Sequence, residues 1–260
     1  MVELSGIRPI QYQALNGGTP KEIDGAIVEE VQACISVNGL EIANFMCSPN
    51  DLDLMAYGFL YNESIINAVS DVANLHVSAN NCIEVWLNRD FTPPERLIVT
   101  AGCGGGVTFD DLSQKHAPLV SDLSVKPRQL AALMRQMHLG ATRYQQARGI
   151  HTAALADADN ILFQVEDIGR HTCLDKVRGA ALLNQQSTEN LILLTSGRIS
   201  SEMVNKARRL KTPIVCSRTS PTSTSVALAE AWNITIVAYL RQDRMRVYTH
   251  PERILTIGEV

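Results

Sequence analysis

This chain of 260 residues contains no Cys-x-x-Cys pair. Its six cysteines, Cys34, Cys47, Cys82, Cys103, Cys173 and Cys216, are scattered. That argues against a disulfide framework and against a sulfur-rich zinc site. Long apolar runs are missing as well. The longest, such as Ile234–Leu240, fall far short of the roughly 20 residues that cross a bilayer. Met1-Val2-Glu3-Leu4 has neither the basic region nor the apolar run of a signal peptide, so a soluble cytoplasmic protein is the expectation. Gly-x-Ser-x-Gly and His-Glu-x-x-His do not occur, which removes the usual serine-hydrolase and zinc-protease signatures. The zinc deaminase combination of His-x-Glu with Pro-Cys-x-x-Cys is also absent. Internal repeats and low-complexity segments are lacking.

The chain does contain enough apolar residues, 45%, to build a core, and its charged fraction of 19% is not that of a disordered chain. The net charge of −4 hides an asymmetry. Residues 1–123 carry 5 Lys and Arg against 16 Asp and Glu, and residues 124–260 carry 18 against 11. An acidic half joined to a basic half predicts two domains, 1–123 and 124–260, with the second facing an anionic partner.

The first half reads as strands with one helix. Glu29–Val37 and Leu40–Met46 flank Asn38-Gly39, the signature of a type I′ hairpin turn. Ser48-Pro49-Asn50 provides a polar cap for a helix over Asp51–Tyr61, whose Leu52, Met55, Phe59 and Leu60 share one face. Leu75–Val77 and Ile83–Leu87 form a second hairpin, and Arg96–Val99 is a strand running into Gly102-Cys103-Gly104-Gly105-Gly106. Residues 110–125 read as a linker. Pro127 then opens a helix with Leu130, Leu133, Met134 and Met137 on its apolar stripe. Beyond it, strands at His151–Leu155, Ile161–Val165, Leu191–Thr195, Pro213–Cys216, Ile234–Leu240 and Met245–Tyr248 alternate with helices at Thr172–Leu183, Glu202–Leu210 and Pro221–Ala231, the last capped by Ser220. The alternation predicts an α/β fold with a largely parallel sheet covered on both faces, its ligands at one sheet edge.

Chemistry concentrates in four places. Cys103 sits in a glycine run that neither helix nor strand accommodates well, so its thiol is expected to be accessible. The run is neither a Walker loop nor a dinucleotide fingerprint. Cys34, Cys82 and Cys216 lie in apolar runs and read as small core residues. Glu166-Asp167-Ile168-Gly169-Arg170-His171 joins a strand to a helix and puts Arg170 where backbone N–H groups already favour anions. A salt bridge of Arg170 with Asp167 or Asp175 is the structural alternative. Thr195–Ser200, with Arg198, and Ser217–Ser223, with Arg218, are turns of the same kind. Tyr239-Leu240-Arg241-Gln242-Asp243-Arg244 is an arginine-bearing hairpin, able to hold a base and a phosphate or to serve as a charged surface turn.

Taken in order, Cys47-Ser-Pro-Asn-Asp51, Gly58-Phe59-Leu60, Cys103, Gly149-Ile150-His151, Glu166–His171 with Asp175-Lys176, Ser196–Ser200, Pro221-Thr-Ser223 and Val247–Arg253 resemble the FdhD family of formate dehydrogenase accessory sulfurtransferases. The resemblance covers nearly the whole chain. It implies a cytidine-deaminase-like C-terminal domain in three layers, without zinc, beside a smaller α+β domain. It implies a cytoplasmic homodimer that takes sulfur from a cysteine desulfurase as a persulfide. The recipient is the molybdenum (or tungsten) bis-molybdopterin guanine dinucleotide cofactor, destined for the catalytic subunit of formate dehydrogenase. No nucleic acid or membrane partner is implied. By motif position Cys103 bears the persulfide. Tyr239, Leu240, Arg241, Gln242, Asp243 and Arg244 meet the cofactor, with Arg170 and Arg198 as further anion contacts. One departure stands out: the family loop is usually Cys-x-x-Cys, and here Gly106 replaces the second cysteine. A cofactor-binding chaperone that moves no sulfur is the alternative reading.

Overall fold

The computed structural model of the chain describes residues 4–93, 98–99, 107–108 and 116–255. It opens with a hairpin that the sequence reading did not anticipate. Strands β1 (Ile7–Asn16) and β2 (Thr19–Val28) pair antiparallel through Gly17-Gly18, both at positive φ. Most of their side chains are exposed, so no buried face imposed a periodicity on the sequence. The next hairpin is as expected. Strands β3 (Val31–Val37) and β4 (Leu40–Cys47) turn through Asn38 at φ 50° and Gly39 at φ 82°. Helix α1 (Leu52–Asn62) follows with Met55, Phe59 and Leu60 fully buried. Its expected polar cap is corrected: Asp51 adopts the left-handed conformation and makes no side-chain cap bond. Strands β5 (Val72–Val77) and β6 (Cys82–Leu87) complete a four-stranded sheet ordered β4-β3-β6-β5, with α1 packed against it.

The cysteine reading is corrected here. Cys34 and Cys82 form a disulfide. They are register partners on the adjacent parallel strands β3 and β6, a proximity that their separation of 48 residues conceals. A short pair, β7 (Ile98–Val99) and β8 (Val107–Thr108), follows. Cys103 and its glycine run lie outside the described residues.

The larger lobe begins with α2 (Pro127–Gly140), which buries the four residues expected, and a short unanticipated helix α3 (Thr142–Ala147). Then come β9 (His151–Ala156), β10 (Ile161–Asp167), α4 (Arg170–Leu183), β11 (Ile192–Thr195), α5 (Ser201–Leu210), β12 (Ile214–Ser217), α6 (Ser223–Ala231), β13 (Thr235–Arg241) and β14 (Arg244–Val247). The cap of α6 is Thr222 rather than Ser220. Pro221 is held extended by a bridge to Ile199, and the Thr222 hydroxyl accepts the Ser225 N–H. The sheet order is β10-β9-β11-β12-β13-β14. It is mixed rather than largely parallel. Only β11–β12 and β12–β13 run parallel, because β9–β10 and β13–β14 are hairpins and β9 lies antiparallel to β11. Helices α4, α5 and α6 cover one face, and α2 covers the other, giving three layers. Among the described residues no helix is long and apolar enough to cross a membrane.

The lobes meet where α1 crosses α4. A Cβ on Gly58 would stand 1.7 Å from the Asp175 carbonyl oxygen, and one on Gly179 would stand 1.9 Å from that of Leu54. The helix backbones therefore touch. Beside this crossing Lys176 is wholly buried. Its ammonium donates to Asp167 Oδ2 at 2.6 Å and to the carbonyls of Ser48 and Asn50 at 3.2 and 2.6 Å. Asp167 also accepts from the backbone N–H groups of Ser48 and Gly169. On the other side Asp175 receives Lys206 at 2.7 Å and the Asn62 amide at 2.7 Å. The alternative that paired Arg170 with Asp167 or Asp175 is thus corrected: both carboxylates are bonded to lysines.

Candidate functional site

The segments singled out by sequence converge on one sheet edge. Strands β10, β11, β12 and β13 run in one direction, so the loops after them share that edge, and the start of the antiparallel β9 joins them. Two adjoining cavities open there. The smaller, of about 430 Å³, is lined by Tyr144, His151 and Ser196 among others. The larger, of about 820 Å³, is lined by Arg135, Leu240, Gln242 and Arg244 among others. His138, Arg218 and Arg241 belong to both. Among the described residues no carboxylate lines either cavity, so four arginines set an electropositive cleft suited to a polyanion.

Of the residues expected to meet a cofactor, Leu240, Arg241, Gln242 and Arg244 line the larger cavity. Tyr239 and Asp243 line neither. Tyr239 lies at a bulge in β13, in the left-handed region at φ 52°, a strained conformation for a bulky residue. Its N–H donates to the Thr219 carbonyl, which ties the β13 bulge to the loop after β12. The Arg246 guanidinium stacks on its ring at 4.4 Å. Arg170 and Arg198 also line neither cavity. They stand further along the edge, where both depress the basicity of His171 and Arg170 also depresses that of His151.

Sequence reasoning missed His138 and Tyr144; it placed His171 beside Arg170 at the start of a helix and His151 in a family motif, without assigning either a role. His138 reads as an ordinary polar residue in the last turn of α2. His151 Nδ1 lies 3.2 Å from Ser196 Oγ, which also accepts the Thr152 N–H at 3.0 Å. Burial, and then Arg170, lowers the pKa of this imidazole. His171 is more extreme, at about 2, held there by burial and then by Lys206, Arg170, His151 and Arg198. Glu202 stands 3.1 Å from its Nδ1 and favours the charged form, but Glu202 also faces Lys206 at 3.8 Å. Burial and the surrounding cations win, and the ring stays neutral. An unfolded histidine titrates near about 6.5, so below that pH the unfolded chain binds a proton that the native chain refuses. Stability from this group is complete above about pH 6.5 and is lost as pH falls toward the native value. Between about pH 6.5 and 5 the loss is expected to be about 2 kcal/mol. Urea unfolding at the two pH values should show this drop, with a shallower one in His171→Gln.

Five of the six cysteines are described, and none offers a thiolate. Cys34 and Cys82 are bonded to each other. Cys47 is pushed up to about 12 by burial and then by the Asp167 charge. Burial likewise raises the thiols of Cys173 and Cys216 far from the neutral range.

A sequence profile of the FdhD/NarQ family matches residues 28–255. The chain belongs to the FdhD/NarQ family. The FdhD/NarQ match takes in both lobes and leaves out most of the β1–β2 hairpin. Among FdhD relatives, the sulfur carrier protein FdhD of Bacillus subtilis (strain 168) is 32% identical over 249 residues, covering 91% of this chain and 93% of its own. The sulfur carrier protein FdhD of Halalkalibacterium halodurans is 34% identical over 240 residues, covering 88% of each. The crystal structure of a Desulfotalea psychrophila protein designated a formate dehydrogenase accessory protein superposes with a TM-score of 0.80 at 28% identity. That match covers 96% of this chain and 99% of the other.

Proposed function

We propose that this chain is a sulfur carrier serving a formate dehydrogenase, with Cys103 as the carrying thiol and the arginine cleft as the seat of the recipient. One observation carries the reading: every other cysteine is either bonded or buried with its thiolate suppressed. A persulfide carrier needs a thiolate that a donor can reach. The Cys103 thiolate attacks the outer sulfur of a desulfurase persulfide, gains that sulfur, and releases the desulfurase thiolate. The client would be a reduced molybdenum or tungsten bis-molybdopterin guanine dinucleotide: it would supply the two electrons that cleave the S–S bond and keep the outer sulfur, Cys103 would leave as thiolate, and Arg135, Arg218, Arg241 and Arg244 would hold its pyrophosphates. Tyr239 lines neither cavity and its ring already carries the Arg246 guanidinium, so guanine would stack on it only from the opposite ring face. With Gly106 in the loop, one thiol makes both transfers. The reading makes the protein a cytoplasmic homodimer with two partners, a cysteine desulfurase and the formate dehydrogenase catalytic subunit.

The test is a mass measurement. After incubation with a cysteine desulfurase and cysteine, the chain should gain one sulfur atom on Cys103, and Cys103→Ala should gain none while Cys216→Ala behaves as the parent. An equal gain in Cys103→Ala would overturn the reading. The Gly106 departure gives the second reading its weight: a chaperone that binds the cofactor without moving sulfur. Under it, Cys103→Ala would still restore formate dehydrogenase activity in cells lacking this protein.

A further inference from the structure

At the junction of the two cavities, His138 does something the sulfur-transfer reading does not use. Arg218 Nη1 lies 3.2 Å from His138 Nδ1, and a guanidinium can only donate, so this nitrogen must be the unprotonated acceptor. The imidazole is held from behind. Its ring packs edge-on against Tyr144 at 5.8 Å, and Arg148 stacks over Tyr144 at 4.8 Å. The His138 carbonyl accepts the Gln145 amide, which clamps the end of α2 to α3. His138 thus holds Arg218 across the middle of the cleft.

We propose that His138 is a proton-linked positioning residue: neutral, it fixes Arg218 at the junction of the cavities; protonated, it becomes a further cation there and tightens the grip on a pyrophosphate diester. The inference rests on the cleft being the cofactor seat. Arg218 and Tyr144 touch the imidazole, and the other titratable or charged groups that share its two cavities are Arg135 from α2, His151 from β9, Arg241 from β13 and Arg244 from β14. Among the described residues none of these is a carboxylate, so no described acid of the cleft pairs with a charged imidazole. A pyrophosphate supplies the missing counter-charge, and binding therefore draws a proton in. His151, its basicity lowered by burial, does not compete for that proton.

The probe is diguanosine 5′,5′-pyrophosphate, whose two phosphates are diesters and keep one charge each across the range used. Calorimetric titrations of the full chain at several pH values, in buffers of different ionisation enthalpy, read affinity and proton uptake together. Wild-type affinity is expected to rise about tenfold from pH 8 to pH 5.5, with uptake of a proton. His138→Gln, which still accepts from Arg218, should bind with a flat profile. His138→Ala should be flat and weaker at every pH. A flat wild-type profile, with binding abolished by Arg241→Ala, would overturn the role of His138 and leave the cleft reading standing. No binding by the wild type, or undiminished binding by Arg241→Ala, would overturn the cleft reading and this inference with it.

Discussion

Gly179→Ala is expected to destabilise the fold by at least about 4 kcal/mol, and Gly58→Ala by as much. Ordinary overpacking costs about 1–3 kcal/mol, because side chains can shift aside. Here the obstacle is backbone on both sides. The new methyl groups would stand 1.9 and 1.7 Å from carbonyl oxygens of the opposing helix, and neither oxygen can move without its helix. Relief requires α1 and α4 to separate, which opens the buried seam between the lobes. With total stabilities of about 5–15 kcal/mol for domains in general, such a loss removes much of the folded population. Gly140→Ala is the control. It meets only the flexible end of Gln164 at 3.0 Å, and its effect is expected to stay under about 1 kcal/mol. Urea denaturation of the three variants checks the order, and equal effects would contradict the backbone contact.

Lys176→Met carries the second large effect, about 3–5 kcal/mol of lost stability. Methionine nearly matches the volume, so little of the loss is packing. What remains is a buried Asp167 carboxylate without its cation and the Ser48 and Asn50 carbonyls without their donor. Burial already pushes the Asp167 carboxyl up, and the Lys176 charge is the principal force holding it down. The variant should therefore take up a proton on folding near neutral pH. Asp167→Asn should cost less, since its oxygen can still accept from Lys176. The double variant should be more stable than the two single losses predict by at least about 1 kcal/mol, because neither charge is stranded. A loss under about 1 kcal/mol in Lys176→Met would place the pair with ordinary surface ion pairs.

Some of this architecture was legible in the sequence, for identifiable reasons. Helix α2 shows a single apolar stripe after a starting proline, and its four expected residues are the four it buries. Asn38-Gly39 announces its turn because few other pairs adopt positive φ twice in succession. The β1–β2 hairpin escaped because its strands are mostly solvated and carry no core-facing alternation. The sheet was expected to be largely parallel because strand and helix alternate along the chain, and that alternation does not reveal that β9 sits between β10 and β11. The partners of Asp167 and Asp175 were sought nearby in Arg170. One, Lys176, lies six residues into α4, and the other, Lys206, is on α5. Asp167 and Arg170 stand close in sequence and look paired on paper, but the buried lysines take both carboxylates. Within the cleft, Arg218 stood out as the arginine of a serine-rich turn and Arg241 as one of two arginines in the terminal hairpin. His138 did not, since only the fold brings the end of α2 against the loop after β12.

The rim strand β14 has one more consequence. It is four residues long, ends the six-stranded sheet, and presents two arginines, Arg244 and Arg246. An open strand margin ordinarily recruits a stray strand and seeds fibrils. Two copies meeting margin to margin would here press guanidinium against guanidinium. Arg244, which also lines the anion-seeking cleft, thus joins Arg246 in discouraging the stacking of one molecule on the next, so the cleft can stay uncovered in a crowded solution.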